Sequence, residues 1–366
     1  MIERGRHVLL LTIHIKEKMM NGKRIAVVAI IAILAIGFVW FMFNGADMRR
    51  GTTNPGAGVY PGKIKAGHLV ALDMAPLFVA KEAGYFKEEG LDLDTVFFSN
   101  PGDNNAALTG GSIQFSTNPF TLPYLAANSG IPMRIISSAG GLGVMEVVIQ
   151  GNYSVENMDQ LVKWVKANPG KKLRVGTLKG DTLDMILYKA FKDVGLSYDN
   201  FEMVWFNDLL AMVQSFQTKQ IDILSHIKPY TTDLVVNFGA KRLTDNSAVW
   251  GEGTPNCTVA VMEDFLEKYP VTVKGYLRAL HRGFQLIVDE PEKAVELLSK
   301  GNYYKVDSKV LLYAFKNQPK KVVLKPNVEG MMIAINDMAK QNYIKRPDQD
   351  IIRTSLLDEV EKSFNK

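Results

Sequence analysis

The sequence predicts an α/β protein of two lobes, preceded by one transmembrane helix. Three observations support this prediction. An uncharged run occupies residues 25–43, short β-branched runs alternate with helical stretches from Lys63 onward, and the same alternation starts again after residue 145. Strands that alternate with helices are typical of a mainly parallel sheet covered by helices on both faces. Because the alternation occurs twice, we expect two sheets and therefore two lobes.

The uncharged run is IAVVAIIAILAIGFVWFMF. At the rise of an α-helix it spans about 28 Å, close to the thickness of the hydrocarbon core of a bilayer. Residues 1–24 carry six Lys or Arg against two Glu, and such a basic flank favours a cytoplasmic amino terminus. We therefore predict a cytoplasmic segment over 1–24 and a membrane anchor over 25–43, with the rest outside the cytoplasm. A cleaved signal peptide is the alternative, but the run is long for one and Asn44-Gly45-Ala46 is a poor cleavage site.

Residues 44–62 are predicted to form a flexible linker, because GTTNPGAGVYPG is rich in Gly, Pro and Thr without a hydrophobic period. The chain has 43 Lys and Arg against 38 Asp and Glu. Of these, 8 basic and 3 acidic residues lie within the first 50, which leaves 35 of each beyond. A neutral ectodomain offers no basic face, so we expect no nucleic-acid partner.

The first lobe is predicted to begin with residues 63–144. The expected strands are KIKAGHLVAL, LDLDTVFF, IQFST and MRIISSA, and the helices between them are PLFVAKEAGYFKEEG, a stretch from Asp103, and PFTLPYLAANSG. Gly84, Gly90 and Gly130 stand where these helices end, a position that favours glycine because the chain there adopts a positive φ.

The second lobe is predicted over residues 145–248. Its expected strands are MEVVIQG, KLRVGTL, FEMVWF and IDILSHI, and its helices are one that ends at Ala167, DTLDMILYKAFKDVG and DLLAMVQSFQTKQ. Trp205, in the third of these strands, is expected in the core rather than against a ligand.

From residue 249 the pattern changes, because the strand CTVAVM is followed by helices alone. We expect the chain to return to the first lobe there, so that 249–366 adds a strand and a helical tail to it. The two crossings, near 140–150 and 254–261, then form a hinge between the lobes.

Ligands of open α/β sheets bind beyond the carboxyl ends of the strands, where helix N-termini present free N–H groups. Polar residues that follow the expected strands are therefore candidate ligand contacts: Asp73, Met74, Asn100, Thr117 and Asn118 in the first lobe, and Gly180, Asp181, Thr182, Asn207, His226 and Tyr230 in the second. Helix capping alone would explain Asp103, Thr117, Asn118, Asp181 and Asp208, and for each of them it is preferred to ligand contact. His226 is equally explained as a hydrogen-bonded histidine at a strand end.

Motifs of enzyme chemistry are missing from the sequence. Residues 140–143, GGLG, do not match G-x-G-x-x-G, and no G-x-S-x-G or phosphate-loop lysine signature occurs. Cys257 is the only cysteine, so an internal disulfide is excluded, and no Cys/His spacing indicates zinc. We expect a protein that is not an enzyme and that has neither a cofactor nor a metal.

Four segments, in order, carry a resemblance to a known family. They are APLFVAKEAGYFKEEGLDLDTVFF (75–98), AALTGGSIQFS (106–116), LAANSGIPMRIIS (125–137) and FQTKQIDIL (216–224). They resemble the substrate-binding proteins of nitrate, sulfonate, taurine and thiamine-pyrimidine ABC transporters, over roughly residues 63–290. The resemblance implies a type II-like periplasmic-binding-protein fold and the capture of a small solute for a permease and its ATPase.

The resemblance leaves the ligand and two alternative functions open. A sulfonate, nitrate or other anion would favour Lys179 and His226, whereas the acidic rim around Asp73 and Asp181 favours a neutral or amine-bearing heterocycle equally well. One alternative is a thiamine-pyrimidine synthase-like enzyme, which in its relatives depends on a cysteine-rich motif that this sequence lacks. The other is a ligand-sensing ectodomain, although only about two dozen residues precede the predicted span.

Overall fold

The computed structural model describes residues 58–140, 144–316, 321–347 and 350–364. The predicted cytoplasmic segment 1–24, the predicted anchor 25–43 and most of the predicted linker lie outside these residues. Among the described helices, none is both long and apolar enough to cross a membrane. The compact unit begins at Gly58. The carbonyl of Gly58 accepts a hydrogen bond from the Val271 N–H (3.1 Å), so the end of the predicted linker lies against the fold.

The described residues form ten strands in two five-stranded sheets, which confirms the predicted α/β class with two sheets. The strands are β1 (Ile64–His68), β2 (Leu93–Phe97), β3 (Phe115–Pro119), β4 (Met133–Ser138), β5 (Met145–Ile149), β6 (Arg174–Leu178), β7 (Glu202–Phe206), β8 (Ile223–Ile227), β9 (Lys241–Asp245) and β10 (Cys257–Met262). The first sheet has the order β2-β1-β3-β10-β4, and the second has the order β7-β6-β8-β5-β9.

Helices cover both sheets. They are α1 (Ala75–Glu82), α2 (Tyr85–Glu88), α3 (Pro101–Thr109), α4 (Thr121–Asn128), α5 (Met158–Ala167), α6 (Thr182–Asp193), α7 (Leu209–Gln217), α8 (Tyr230–Phe238), α9 (Asn246–Trp250), α10 (Glu263–Lys268), α11 (Pro270–Asp289), α12 (Pro291–Lys300), α13 (Ser308–Lys316), α14 (Val328–Lys340) and α15 (Ser355–Phe364). Central strands such as β5 are buried along their whole length, as the unbroken apolar run MEVVI requires of a strand covered on both faces.

Each sheet contains one strand that the chain enters directly from the other sheet, and this strand runs antiparallel to its neighbours. β10 pairs antiparallel with β3, so that Cys257 stands opposite Pro119, and β5 pairs antiparallel with β8, so that Met145 stands opposite Ile227. The amino ends of β10 and β5 therefore lie at the edge where the parallel strands have their carboxyl ends. Both connections between the sheets consequently reach the edge at which ligands bind in α/β sheets.

Two expectations about individual residues are wrong. Thr117 and Asn118 do not cap the next helix but lie inside β3, because pairing with β10 extends this strand to Pro119. Trp205 is not in the core, since its exposed fraction is 42%. It lies in β7, an edge strand that has a neighbouring strand on one side only.

The helical tail packs on the first sheet and also reaches the second. The long helix α11 lies along α1, and Phe115 of β3 stacks on Tyr276 of α11 with ring centroids 3.9 Å apart. From the tail beyond α14, the Tyr343 hydroxyl donates a hydrogen bond to Asp184 Oδ2 of α6 (3.0 Å). Lys192 of α6 forms an ion pair with Asp337 of α14 (3.3 Å). The tail therefore joins the two halves of the compact unit.

A glycine sets the distance between α11 and α1. A Cβ atom on Gly283 would lie 2.3 Å from the Pro76 carbonyl oxygen and 2.9 Å from Ala80 Cβ. Real Cβ atoms do not approach backbone oxygens so closely, so only glycine permits this crossing. Because α1 begins directly after Asp73 and Met74, the crossing also fixes the turn that carries Asp73.

We expect Gly283→Ala to lower the free energy of unfolding by about 2 kcal/mol, because the added carbon overpacks the crossing. Gly275→Ala in the same helix is the matched control. Its Cβ would meet Leu91 at 3.4 Å, an ordinary contact, and alanine is the better helix former by about 1 kcal/mol. Urea unfolding of the full chain measures both. Equal stability of the two variants would contradict the close crossing.

Candidate ligand-binding site

The first carboxyl group of the site comes from the turn after β1. Asp73 lies in a 3₁₀ turn, Leu72–Met74, and is 1% exposed. Its Oδ2 accepts a hydrogen bond from the Cys257 N–H (2.7 Å), whereas its Oδ1 has no hydrogen-bond partner among the described residues. Burial raises the pKa of Asp73 to about 7, although the bond from Cys257 acts in the opposite direction.

The second carboxyl group comes from the turn after β6. Asp181 caps α6, and its Oδ1 accepts from the Leu183 N–H (2.9 Å). Its Oδ2 is buried and has no hydrogen-bond partner among the residues described. Burial raises the pKa of Asp181 to about 6, and the nearby Asp184 raises it further. Gly180, at φ +74°, shapes this turn, and its N–H donates to Asp184 Oδ2 (2.9 Å).

Asn256 and Cys257 lie between the two carboxyl groups. The Thr182 hydroxyl of α6 donates to Asn256 Oδ1 (2.7 Å), which links the second sheet to the start of β10 in the first. Burial raises the pKa of the Cys257 thiol well above its ordinary value, and the charges of Asp73 and Asp181 raise it further. We refer to Asp73, Asp181, Thr182, Asn256 and Cys257 as the seam.

Two tyrosines adjoin the seam. Tyr304, from the helical tail, donates its hydroxyl to the Ala71 carbonyl oxygen (3.0 Å). Burial raises the pKa of Tyr304 well above its ordinary value, and Asp73 and Tyr230 raise it further. Tyr230, at the start of α8, is 3% exposed, and burial raises its pKa to about 12. Its hydroxyl, which the backbone of Lys305 approaches, lacks a partner of hydrogen-bond geometry in the described chain.

Asn100 and Asn207 are in contact, and each lies in the loop that follows an edge strand of its sheet. The Asn100 Oδ1 accepts from the N–H groups of Gly102 (2.6 Å) and Asp103 (3.3 Å) and so caps α3. Its Nδ2 donates to the Asn207 carbonyl oxygen (2.7 Å). Asp103 was an expected cap, but Asn100 performs this role. The contact joins the loops after β2 and β7, which are the matching edge strands of the two sheets.

The other candidates are buried and are placed differently. Asn118 donates its Nδ2 to the Pro101 carbonyl oxygen (2.9 Å), and its Oδ1 has no partner within the described ranges. Thr117 interacts with the phenol of Tyr276. The sulfur of Met74 lies 3.1 Å from the Leu69 nitrogen, so it stabilises the turn after β1.

His226 is satisfied inside the second sheet. Its Nε2–H donates to the Leu209 carbonyl oxygen (2.8 Å), and burial lowers the pKa of the imidazole to about 4. The histidine is therefore neutral near pH 7 and carries no positive charge for an anion.

The cationic side chains near the two sheets are also engaged. Lys228 Nζ lies 3.4 Å from Glu146 Oε1, and the same oxygen lies 2.6 Å from Arg242 Nε. Lys179 Nζ lies 5.6 Å from the ring centroid of Trp205, a cation–π contact. Within the described ranges, no group of three or more His, Cys, Asp and Glu is arranged to hold a metal ion.

The sequence did not point to Asn256 or Tyr304 as parts of the site. Asn256 precedes a strand rather than following one, and it reaches the carboxyl edge only because β10 runs antiparallel to β3. Tyr304 belongs to the tail, whose path over the sheets is set by tertiary packing.

Comparisons with known proteins identify the family of this chain. The profile of the NMT1-like family matches residues 59–299, which is more than half of the chain. The chain belongs to the NMT1-like family. Within the family, a Brucella abortus protein named only as a binding protein is 25% identical over 247 residues, or 65% of this chain and 70% of its own length.

Solved structures show the periplasmic-binding-protein fold for this NMT1-like chain. The nitrate-binding protein from Synechocystis superposes with a TM-score of 0.70 at 18% identity, over 82% of this chain and 88% of its own. The alkanesulfonate-binding protein from Xanthomonas axonopodis gives 0.68 at 13% identity, over 81% and 100%. Together with the family match, they confirm the resemblance found in the sequence.

An enzyme also appears among the curated relatives of this NMT1-like protein. The 4-amino-5-hydroxymethyl-2-methylpyrimidine phosphate synthase of Saccharomyces cerevisiae is 22% identical over 241 residues, or 60% of this chain and 64% of its own. Thus the enzymatic alternative has to be judged on the site.

We expect Asp73→Asn to become more stable relative to the parent chain as the pH rises. The folded carboxyl group has a raised pKa, so it holds a proton between about pH 4 and about pH 7 that the unfolded chain has lost. The stability that Asp73 contributes is therefore complete below about pH 4 and is lost as the pH rises through about 7. Asparagine has no such dependence.

Urea unfolding at about pH 4 and about pH 8 should show a relative gain for Asp73→Asn of about 1–3 kcal/mol. The lowered pKa of His226 makes stability rise with pH, but His226 is present in both proteins, so its contribution cancels in the comparison. The exposed Asp199, as Asp199→Asn, is the control and should show no such change. A pH-independent difference between parent and Asp73→Asn would show that the carboxyl group is ionised throughout.

Proposed function

We propose that the chain is the solute-binding component of an ABC importer. It captures a small ligand between its two sheets outside the cytoplasm, is held to the membrane by residues 25–43, and delivers the ligand to a permease driven by an ATPase. The observation that carries this proposal is the seam. There, buried oxygens of Asp73 from one sheet and Asp181 from the other lack hydrogen-bond partners in the described chain. Buried polar atoms normally have partners, so such a group across two sheets favours a bound ligand.

In this proposal residues 63–144 and 249–366 form one lobe and residues 145–248 form the other. The connections near 140–150 and 254–261 act as the hinge. Ligand contacts from both lobes favour the closed state in proportion to the difference in affinity between the two states. The bond between Asn100 and the Asn207 carbonyl oxygen is then a contact of the closed state.

The thiamine-pyrimidine synthase alternative is disfavoured by the chemistry of the only cysteine. Burial raises the pKa of Cys257 well above its ordinary value, and the thiolate is the reactive form of cysteine. A ligand-sensing ectodomain would use the same cleft, but no described contact favours a signalling role over delivery.

We expect a bound solute to bring the two lobes together. The test uses spin labels on Asp103→Cys in α3 and Gln214→Cys in α7, two exposed positions on opposite sides of the Asn100–Asn207 contact. Cys257 is 0% exposed and should not react with the label. The solute is identified in two ways. Native mass spectrometry of the full chain detects any retained small molecule, and a thermal-shift screen tests anions, sulfonates, amines and aminopyrimidines. A saturating solute adds about 2.7 kcal/mol at 100 times its dissociation constant.

Electron–electron distance measurements should show a broad distribution without solute and a single short distance with it. A solute that raises the melting temperature and leaves the distance distribution unchanged would overturn cleft closure.

We expect Thr182→Val to weaken solute binding about fivefold, or about 1 kcal/mol, because it removes the hydrogen bond between Thr182 and Asn256 that joins the lobes. Valine keeps the volume, which limits the loss of packing. Thr218→Val at the exposed end of α7 is the matched control, since the Thr218 hydroxyl bonds only to its own helix. Calorimetric titration compares the three proteins. Equal affinities for all three would exclude the seam from binding.

A further inference from the structure

The seam also indicates the chemical class of the solute, and this inference rests on the proposed function. We propose that the solute is a small organic cation, such as an amine or amidine, whose N–H groups donate to the Asp73 and Asp181 carboxylates. Nitrate-like and sulfonate-like anions are excluded by the same two groups.

The first argument is the direction of the missing hydrogen bonds. Two of the buried oxygens without a partner in the described chain, Asp73 Oδ1 and Asp181 Oδ2, belong to carboxyl groups that can only accept hydrogen bonds once they are ionised. The hydroxyl of Tyr230 can accept as well as donate. A ligand that satisfies this set has to supply donors.

The second argument is charge. The charges of Asp73 and Asp181 both act on the buried Cys257 thiol, and a buried carboxylate without a counter-charge is costly. The nearby cations have other carboxylate partners, because Lys228 pairs with Glu146 and the charge of Lys179 acts on Asp184. His226 is neutral near pH 7. An anion would add a third negative charge to this surrounding, whereas an organic monocation offsets one of the two present.

The third argument is the coupling of binding to protonation. Burial raises the pKa values of Asp73 and Asp181 to about 7 and about 6, so both carboxyl groups lose their protons only near neutral pH. The titratable groups that face Asp73 are Tyr304 and Cys257. Asp181 faces Cys257 and also Asp184. The Asp184 carboxylate accepts from Gly180, Tyr198 and Tyr343, and the charge of Lys179 also acts on it. A cation therefore binds the ionised pair and lowers both pKa values, so its affinity rises with pH between about 5 and about 8.

The test uses three probes of one shape on the full chain: benzamidine, which is a cation, benzamide, which is neutral, and benzoate, which is an anion. Nitrate and methanesulfonate are added as simple anions. Ligand-observed NMR titrations give the dissociation constants at about pH 5 and about pH 8. At about pH 8 we expect benzamidine to bind at least about tenfold more tightly than benzoate. At about pH 5 we expect benzamidine to bind about tenfold more weakly than it does at about pH 8.

Two variants assign the effect to the seam. Asp73→Asn and Asp181→Asn should each weaken benzamidine binding about tenfold and reduce its pH dependence, while the exposed Asp199→Asn should change neither. Asparagine keeps the shape of the carboxyl group and accepts the bonds from Cys257 and Leu183, so the fold is preserved. Thermal unfolding of each variant checks that it is folded.

The outcomes separate this inference from the proposed function. If benzoate, nitrate or methanesulfonate binds more tightly than benzamidine and shortens the spin-label distance, the cation class is overturned and solute capture stands. Benzamidine binding that survives both seam variants also overturns the cation site. If no probe binds and native mass spectrometry finds no retained small molecule, both proposals fail.

Discussion

The hydrogen bond from the Cys257 N–H to the buried Asp73 carboxylate is the contact on which the rest of the site depends. It joins residues 184 positions apart in the sequence, the turn after the first strand and the start of the strand that returns from the second sheet. Because β10 runs antiparallel to β3, the bond also brings Asn256 to the carboxyl edge, where Thr182 of the second sheet meets it. The orientation of a single strand thus builds a site from two sheets.

The same arrangement buries two carboxyl groups, those of Asp73 and Asp181, whose burial destabilises the folded state. Burial of Asp73 and Asp181 raises both pKa values, which is a cost to the folded state near neutral pH. The surrounding contacts offset it, among them the close crossing of α11 on α1 at Gly283 and the bond from Tyr343 of the tail to Asp184. Proteins commonly keep such unfavourable groups at functional sites, where they act on a ligand rather than on stability.

Most of the fold could be predicted from the sequence, because local patterns determine it. The alternation of β-branched and helical runs predicted the two sheets. The rule that ligands bind at strand ends selected Asp73, Asp181 and Thr182, which the structure brings to the candidate site. The remainder depends on tertiary structure. No local signal gives the direction of β10, so Asn256 was missed and Thr117 was expected at a cap. Trp205 was expected in the core because nothing in FEMVWF shows that this strand lies at the edge of its sheet.

Asn100 shows how one side chain meets two requirements at once. Its oxygen caps α3 and its nitrogen donates to the Asn207 carbonyl oxygen in the other sheet. Serine, threonine, aspartate and asparagine all cap helices well, but only asparagine adds a donor at the far end of the same planar group. An aspartate would keep the helix start and would repel the opposing carbonyl. The identity of this residue is therefore constrained by the encounter between the sheets, and the integrity of α3 does not depend on whether that encounter takes place.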